Sequence, residues 1–295
     1  MQVRYLKYKN IYFVFSGILV AASIYAILSF GLKPGIDFTG GSILEVSYEG
    51  ARPTVADARA SLSEFGEVSV QPTDQNGLII RMEEIDEATH QRVLKILGDG
   101  YKTQEQRFES IGPVIGKELK EKTNLVIFLA LAAIVLYVAL AFRRVQRPVS
   151  AWQYGFIVLI LAILHDLLIP IGVFAVLGKY WGVQITIPVI TALLAVLGYS
   201  VNDTVVVFDR IRENLMKRAG TTFEGLVEAS MNQTMARCVN TAFTTLLALL
   251  AIYFFGGETL RYFSLALIVG IAAGTYSSFF LAGPILVSWM KWRHR

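Results

Sequence analysis

Charge, cysteine and histidine are all scarce in this chain. Of 295 residues, 17% are charged, 54% are hydrophobic, three are histidine and one is cysteine. A single cysteine, Cys238, excludes an intrachain disulfide and a cysteine-rich metal site. With no clustered histidines and no nucleophile-base pair, the sequence offers no catalytic constellation, and neither a cofactor nor a metal is expected. The net charge of +4 is carried by short cationic clusters beside apolar runs. That is the pattern of topology signals and anionic headgroups, so the lipid bilayer is expected as a partner and nucleic acid is not.

What is abundant is apolar sequence in blocks of about 20 residues, the length that crosses a hydrocarbon layer. Six spans are expected, at about 11 to 30, 124 to 142, 153 to 177, 184 to 208, 238 to 256 and 262 to 290. The first follows Arg4, Lys7 and Lys9 without a small-residue cleavage pattern, so it reads as a retained helix. Placing both termini in the cytoplasm puts Arg143, Arg144, Arg147, Arg210, Arg212, Lys217, Arg218, Lys291, Arg293 and Arg295 inside. Only Lys179 and Arg261 then stay on the short outer loops. An amphipathic segment near 210–232, with Phe223, Leu226 and Val227 on its apolar side, is expected to lie along the inner surface.

The domains expected are 1–31, the N-terminal tail and first span; 32–122, an exported domain; and 123–295, the remaining five spans. Within the exported domain, strands are expected at Ser42 to Tyr48, Glu67 to Gln71, Gly77 to Met82 and Tyr101 to Glu109. Helices are expected at Thr54 to Phe65, with Thr54 as N-cap and Asp57 three residues on, and at Asp86 to Leu97. The order βαββαβ is that of a ferredoxin-like unit, so the fold class is a six-helix membrane protein with one exported α+β domain. His90 is the domain's only histidine, and contact with a partner or moving chain is a better expectation than catalysis.

Two motifs organise the chain. GIDFTGG carries Gly35, Asp37, Gly40 and Gly41 between the first span and the first strand, and Asp37 reads as a turn acid binding backbone amides. LGYSVNDTVVVFDRIREN ends the fourth span and places Asn202 and Asp203 inside an apolar run. A carboxylate there costs about 2.5 to 3.5 kcal/mol, so it is expected to face protein or water and to have a partner. Arg237, opening the fifth span, is the expected partner. Asn240, Thr241, Thr244 and Thr245 continue a polar stripe from it. Thr191, Ala195, Gly198 and Asn202 form a small-residue stripe on span four, and Gly270 and Gly274 another on span six. His165 and Asp166, midway along span three, form a secondary candidate pair. As α-helical neighbours they diverge by about 100 degrees and should not face one partner, but either could continue a proton relay; the alternative is that Asp166 bonds hydroxyls across the bundle and His165 stays neutral.

These two motifs, together with NQTMARCVNT at the start of span five and the arrangement of spans and domain, resemble the SecF family of the bacterial protein-export machinery. That family is related to SecD and more distantly to resistance-nodulation-division transporters. The resemblance implies an accessory, non-enzymatic subunit in the inner membrane that works with SecD beside the SecYEG channel. There it would use the proton motive force to promote preprotein translocation. It also implies that Asp203, Arg237 and Thr241 are the proton-responsive positions. Half of a proton-coupled pump for lipids or small molecules, and a scaffold whose charged pair only holds helices together, are the alternatives.

Overall fold

A computed structural model describes residues 4–73, 76–142, 151–217 and 222–293. Arg143, Arg144, Arg147, Arg218 and Arg295, on which part of the topology expectation rests, lie outside them. Six helical spans among the described residues are long and apolar enough to cross a membrane: Tyr5–Phe30, Pro113–Ala141, Leu164–Trp181, Ile187–Met216, Phe223–Phe255 and Leu260–Trp292. The chain forms two compact units. One comprises Met1–Leu32, Ile127–Val183 and Pro188–Arg295, and the other Lys33–Val126 with Gln184–Ile187.

The second unit opens with a single helical turn, α2 (Ile36–Thr39), after the first membrane helix α1 (Lys9–Phe30). It continues through β1 (Gly41–Tyr48), α3 (Val55–Ser61), β2 (Ser69–Pro72), β3 (Gly77–Met82), α4 (Glu87–Leu97) and β4 (Thr103–Ile111). The sheet order β2-β3-β1-β4, antiparallel throughout, is the ferredoxin-like arrangement expected from the pattern. Both helices start where local chemistry dictates: the Thr54 hydroxyl accepts the Asp57 amide, and the Asp86 carboxylate accepts that of Thr89. Alternation along the strands sends Leu44, Val46, Leu78 and Ile80 to one face, where they pack against Ala58, Leu62, Val93 and Leu97 of the helices.

The remaining helices are α5 (Pro113–Ala141), α6 (Ala151–Ile160), α7 (Leu168–Trp181), α8 (Ile187–Met216), α9 (Phe223–Phe255), α10 (Glu258–Ser277) and α11 (Gly283–Arg293). Two π-helical stretches, Leu161–Leu167 and Ser278–Ala282, interrupt the third and sixth spans. Small residues set the closest approaches in this unit. A Cβ on Gly172 would fall 2.5 Å from that of Ser23, and one on Gly270 would fall 2.3 Å from Val196. Helices α1 and α7, and α8 and α10, therefore meet nearly backbone to backbone.

Two expectations about helix ends change. The second span begins earlier, at Pro113, because Lys117, Glu118, Lys120 and Glu121 continue the helix beyond its apolar part. The amphipathic segment expected on the inner surface is the first turns of α9. That helix has 33 residues, about 50 Å at 1.5 Å per residue. Its apolar side is not left for lipid: Leu226, Val227 and Met231 are buried in the same core as Phe208, Ile211 and Leu286.

Candidate functional site

Helix α8 brings one face inward through Val189, Ala192, Leu193, Val196, Leu197, Ser200, Asp203, Thr204 and Val207, a three-and-four spacing. Asp203 sits on that face with 2% of its surface exposed, and its Oδ2 has no hydrogen-bond partner. The buried side chain of α9 that lies beside its carboxylate is the thiol of Cys238.

The expected ion pair is absent. No contact of 4.0 Å or less joins Asp203 to Arg237, although the arginine's charge acts on the carboxylate through space. The reason is helical geometry. Cys238 takes the inward position on α9, in register with buried Thr234 and Ala242, so its neighbour Arg237 is turned about 100 degrees away and is exposed. Asn240, Thr241 and Thr244 share the outward face with Arg237. Their threonine hydroxyls are satisfied within the helix: Thr241 donates to the Arg237 carbonyl at 2.8 Å and Thr244 to that of Asn240 at 3.0 Å.

The small-residue stripe of α8 also faces out. Thr191, Ala195, Gly198 and Asn202 are all exposed, and a Cβ added at Gly198 would meet nothing within 4 Å. Gly198 and Asn202 line an open cleft of about 390 Å³ with Ala133, Ile134, Tyr137 and Val201. Asn202 and Asp203, adjacent in sequence, thus look to opposite sides of the helix wall.

His165 and Asp166, the secondary candidate pair, meet each other. The Leu161–Leu167 stretch is wound with i→i+5 bonding, which reduces the angle between successive side chains. His165 Nδ1 lies 2.7 Å from Asp166 Oδ1, and both residues are buried. The other carboxylate oxygen accepts from Ser200 of α8 and from Ser277 of α10, the latter at 3.0 Å. Nearby, Thr204 and Ser278 pair at 2.8 Å.

The glycine motif closes on itself through backbone bonds. Gly35 N–H donates to Ile185 O at 2.8 Å, Ile185 N–H returns to Lys33 O at 2.7 Å, and Asp37 Oδ2 accepts the amide of Ile187 at 2.9 Å. Asp37 therefore does bind a backbone amide, as expected of a turn acid, but one 150 residues away, at the first residue of α8. Gly40 adopts φ +75, and a Cβ there would come within 2.8 Å of the Pro113 backbone; Gly41 opens β1. Among the described residues no group of three or more His, Cys, Asp or Glu is placed to hold a metal ion.

Reasoning from sequence missed Cys238 beside Asp203, whereas hydroxyls bonding Asp166 across the bundle were one of its alternatives, met here by Ser200 and Ser277. Which hydroxyls would meet Asp166 had no local signal, since a serine in a membrane helix usually bonds its own backbone.

Comparison with known proteins matches residues 91–292 to the family described as protein export membrane protein SecD/SecF, C-terminal, and residues 25–51 to the SecD/SecF GG motif. A protein translocase subunit SecF from Thermobaculum terrenum is 43% identical over 92% of this chain and 89% of its own length. One from Anaerolinea thermophila is 38% identical over 97% and 94%. The crystal structure of SecDF, a translocon-associated membrane protein from Thermus thermophilus, superposes with a TM-score of 0.86 at 32% identity over all of this chain. This chain spans only 39% of that SecDF polypeptide. A SecDF structure in a super-membrane-facing form matches with a TM-score of 0.70. From its glycine turn to its last span, the chain belongs to the SecD/SecF family of protein export membrane proteins.

Proposed function

We propose that this chain is the SecF half of a proton-driven accessory to Sec protein export. It works in complex with SecD beside the SecYEG channel in the bacterial cytoplasmic membrane. Its termini lie in the cytoplasm, and its ferredoxin-like domain lies on the outer side, where it handles the emerging preprotein. The role is mechanical rather than enzymatic.

The observation that carries this reading is Asp203, a buried carboxylate in a membrane helix with one oxygen unpartnered and a thiol on the other helix. A permanent structural charge would be expected to be fully paired, because an unpaired buried charge costs several kcal/mol. An acid that cycles between charged and neutral states needs a site that tolerates both. A thiol donor with a cation held further off is such a site. A proton moving down the membrane potential releases about 2.3 kcal/mol per 100 mV, enough to shift a two-state equilibrium more than tenfold.

SecD supplies what the chain lacks. The exposed faces bearing Thr191, Ala195, Gly198 and Asn202 on α8, and Arg237, Asn240, Thr241 and Thr244 on α9, are too polar for hydrocarbon and too small-featured for a lipid-facing surface. A partner helix bundle covers them, which agrees with the relative in which SecD and SecF form one polypeptide more than twice this length.

The test is Asp203→Asn in the complex with SecD, reconstituted with the channel in vesicles. Assembly should be unchanged, while the part of export that responds to an imposed proton gradient should disappear. Export as gradient-responsive as wild type would refute the reading.

A further inference from the structure

The proton-driven reading uses Asp203 and leaves unexplained a second buried ionisable cluster in the same unit. Asp166 has no exposed surface and His165 has 3%. Asp166 is fully engaged: Oδ1 meets His165 Nδ1, and Oδ2 takes hydroxyls from Ser200 and Ser277. His165 is not. With Nδ1 carrying the hydrogen directed at the carboxylate, Nε2 presents a lone pair, and that atom is buried without any hydrogen-bond partner. The ring stacks on Tyr276, centroids 5.8 Å apart, and the Tyr276 hydroxyl donates to the Tyr12 carbonyl.

We propose that His165 is a second proton-accepting site of this chain, with Asp166 as its fixed counter-charge and Ser200 and Ser277 as the links that pass its state to α8 and α10. The inference rests on the proton-driven reading and deepens it. In the step itself, a hydronium ion gives its proton to the Nε2 lone pair: the N–H bond forms as one O–H bond breaks, a neutral water leaves, and the imidazole becomes a cation beside the Asp166 carboxylate.

The cluster has two hydrogen-bond arrangements ready to respond. The Ser277 hydroxyl lies 3.0 Å from Asp166 Oδ2 and also 3.0 Å from the Gly274 carbonyl, and its one hydrogen can serve only one of them at a time. A cation at His165 draws the carboxylate's charge towards Oδ1 and weakens its hold on Ser277. Release lets that hydroxyl return to its own helix, at the turn where Gly274 packs on Ser200 and where the π-helical stretch begins with Ser278, the partner of Thr204. Ser200 lies one turn from Asp203 on the same inward face, so the two proton sites share a rigid element.

Other ionisable groups on the surrounding elements do not replace Asp166 as the counter-charge. Tyr276, Tyr12 and Tyr154 are neutral phenols in the physiological range. Lys179 on α7 and Arg261 on α10 are 14 and 15 residues along their helices from His165 and Tyr276, about 20 Å at 1.5 Å per residue. Lys9 on α1 is bonded to Ser288, and Asp203 on α8 lies beyond Ser200.

The test is nitrogen-15 NMR of histidine-labelled full-length chain, assembled with SecD in lipid nanodiscs, with His165→Gln to assign its signals. The Nε2 resonance of His165 should pass between its unprotonated and protonated positions as acidity is varied over the range in which the complex stays assembled, and Asp166→Asn should displace that curve. In parallel, His165→Gln should flatten the pH profile of gradient-driven export while the amount of SecD complex stays constant. An Nε2 signal that never protonates over that range, or a His165→Gln profile that overlays wild type, overturns the proposal. If Asp203→Asn still abolishes the gradient response in those same vesicles, only the His165 site has failed. If His165 titrates while Asp203→Asn exports normally, the proton site stands and the role given to Asp203 falls.

Discussion

Cys238, and not the neighbouring Arg237, faces Asp203 across the interface of α8 and α9. One position along a helix separates a buried thiol beside the carboxylate from an exposed guanidinium that acts on it at a distance. The thiol is then the nearest control on the acid. Replacing Cys238 by Ala should remove a buried sulfur and a weak donor beside the acid and lower the stability of the SecD complex by about 1 kcal/mol, the order for one small buried group. Cys238→Ser, a stronger donor of similar size, should stay close to wild type. Identical melting curves for Ala, Ser and wild type would show that the contact contributes nothing.

Gly198 and Gly270 should behave oppositely, though both belong to small-residue stripes. A Cβ at Gly198 meets open space, so Gly198→Ala should leave the isolated chain as stable as before, or more stable by up to about 1 kcal/mol from helix propensity. Gly198→Leu should weaken co-purification with SecD at least tenfold, since it fills a face reserved for another helix. At Gly270 the added Cβ would lie 2.3 Å from Val196, so Gly270→Ala should destabilise the chain itself by about 1 to 3 kcal/mol. Pull-down and thermal melts of each variant separate the two roles.

Asp37 should act as a long-range helix cap. Its carboxylate accepts the first amide of α8, so Asp37→Ala should cost about 1 kcal/mol, as for other caps. Asp37→Asn, which keeps an acceptor oxygen, should cost less. If export is lost equally in both while stability is unchanged, Asp37 has a role beyond capping.

Asp86 makes the ferredoxin-like domain's stability depend on acidity. The Thr89 side chain and amide hold the Asp86 carboxyl below its ordinary value. A group with a lowered folded value contributes its full stabilisation above the ordinary carboxylate range and loses it as pH falls through the lowered value. Wild-type α4 should therefore fray on acidification, while Asp86→Asn should show a weaker dependence in the same interval. Amide hydrogen exchange at Thr89 and His90 follows this directly.

The spans and the domain were legible because both rest on periodicity. Strand β3 runs from Gly77 to Met82 as the alternation required, and Thr54 and Asp86 cap their helices as their side chains dictate. Asp203 was legible for a related reason: a carboxylate inside an apolar run is costly wherever the helix points. Its partner was not, since Arg237 and Cys238 are adjacent in sequence and only packing chooses between them. The meeting of His165 with Asp166 was illegible too, because it depends on a π-helical turn that no local pattern announces.

Taken alone, then, the order of residues determined which segments are long and apolar enough to cross a bilayer, the succession of strands and helices in the ferredoxin-like unit, and that a carboxylate falls within an apolar run. Those are consequences of transfer free energy and local hydrogen bonding, which act residue by residue. The tertiary structure decided which face of each helix is inside: Gly270 against Val196 but Gly198 open, Cys238 inward but Arg237 outward, Ser200 and Ser277 on one carboxylate. Helix rotation is set by the mutual fit of several surfaces at once, and no single stretch of chain contains that information.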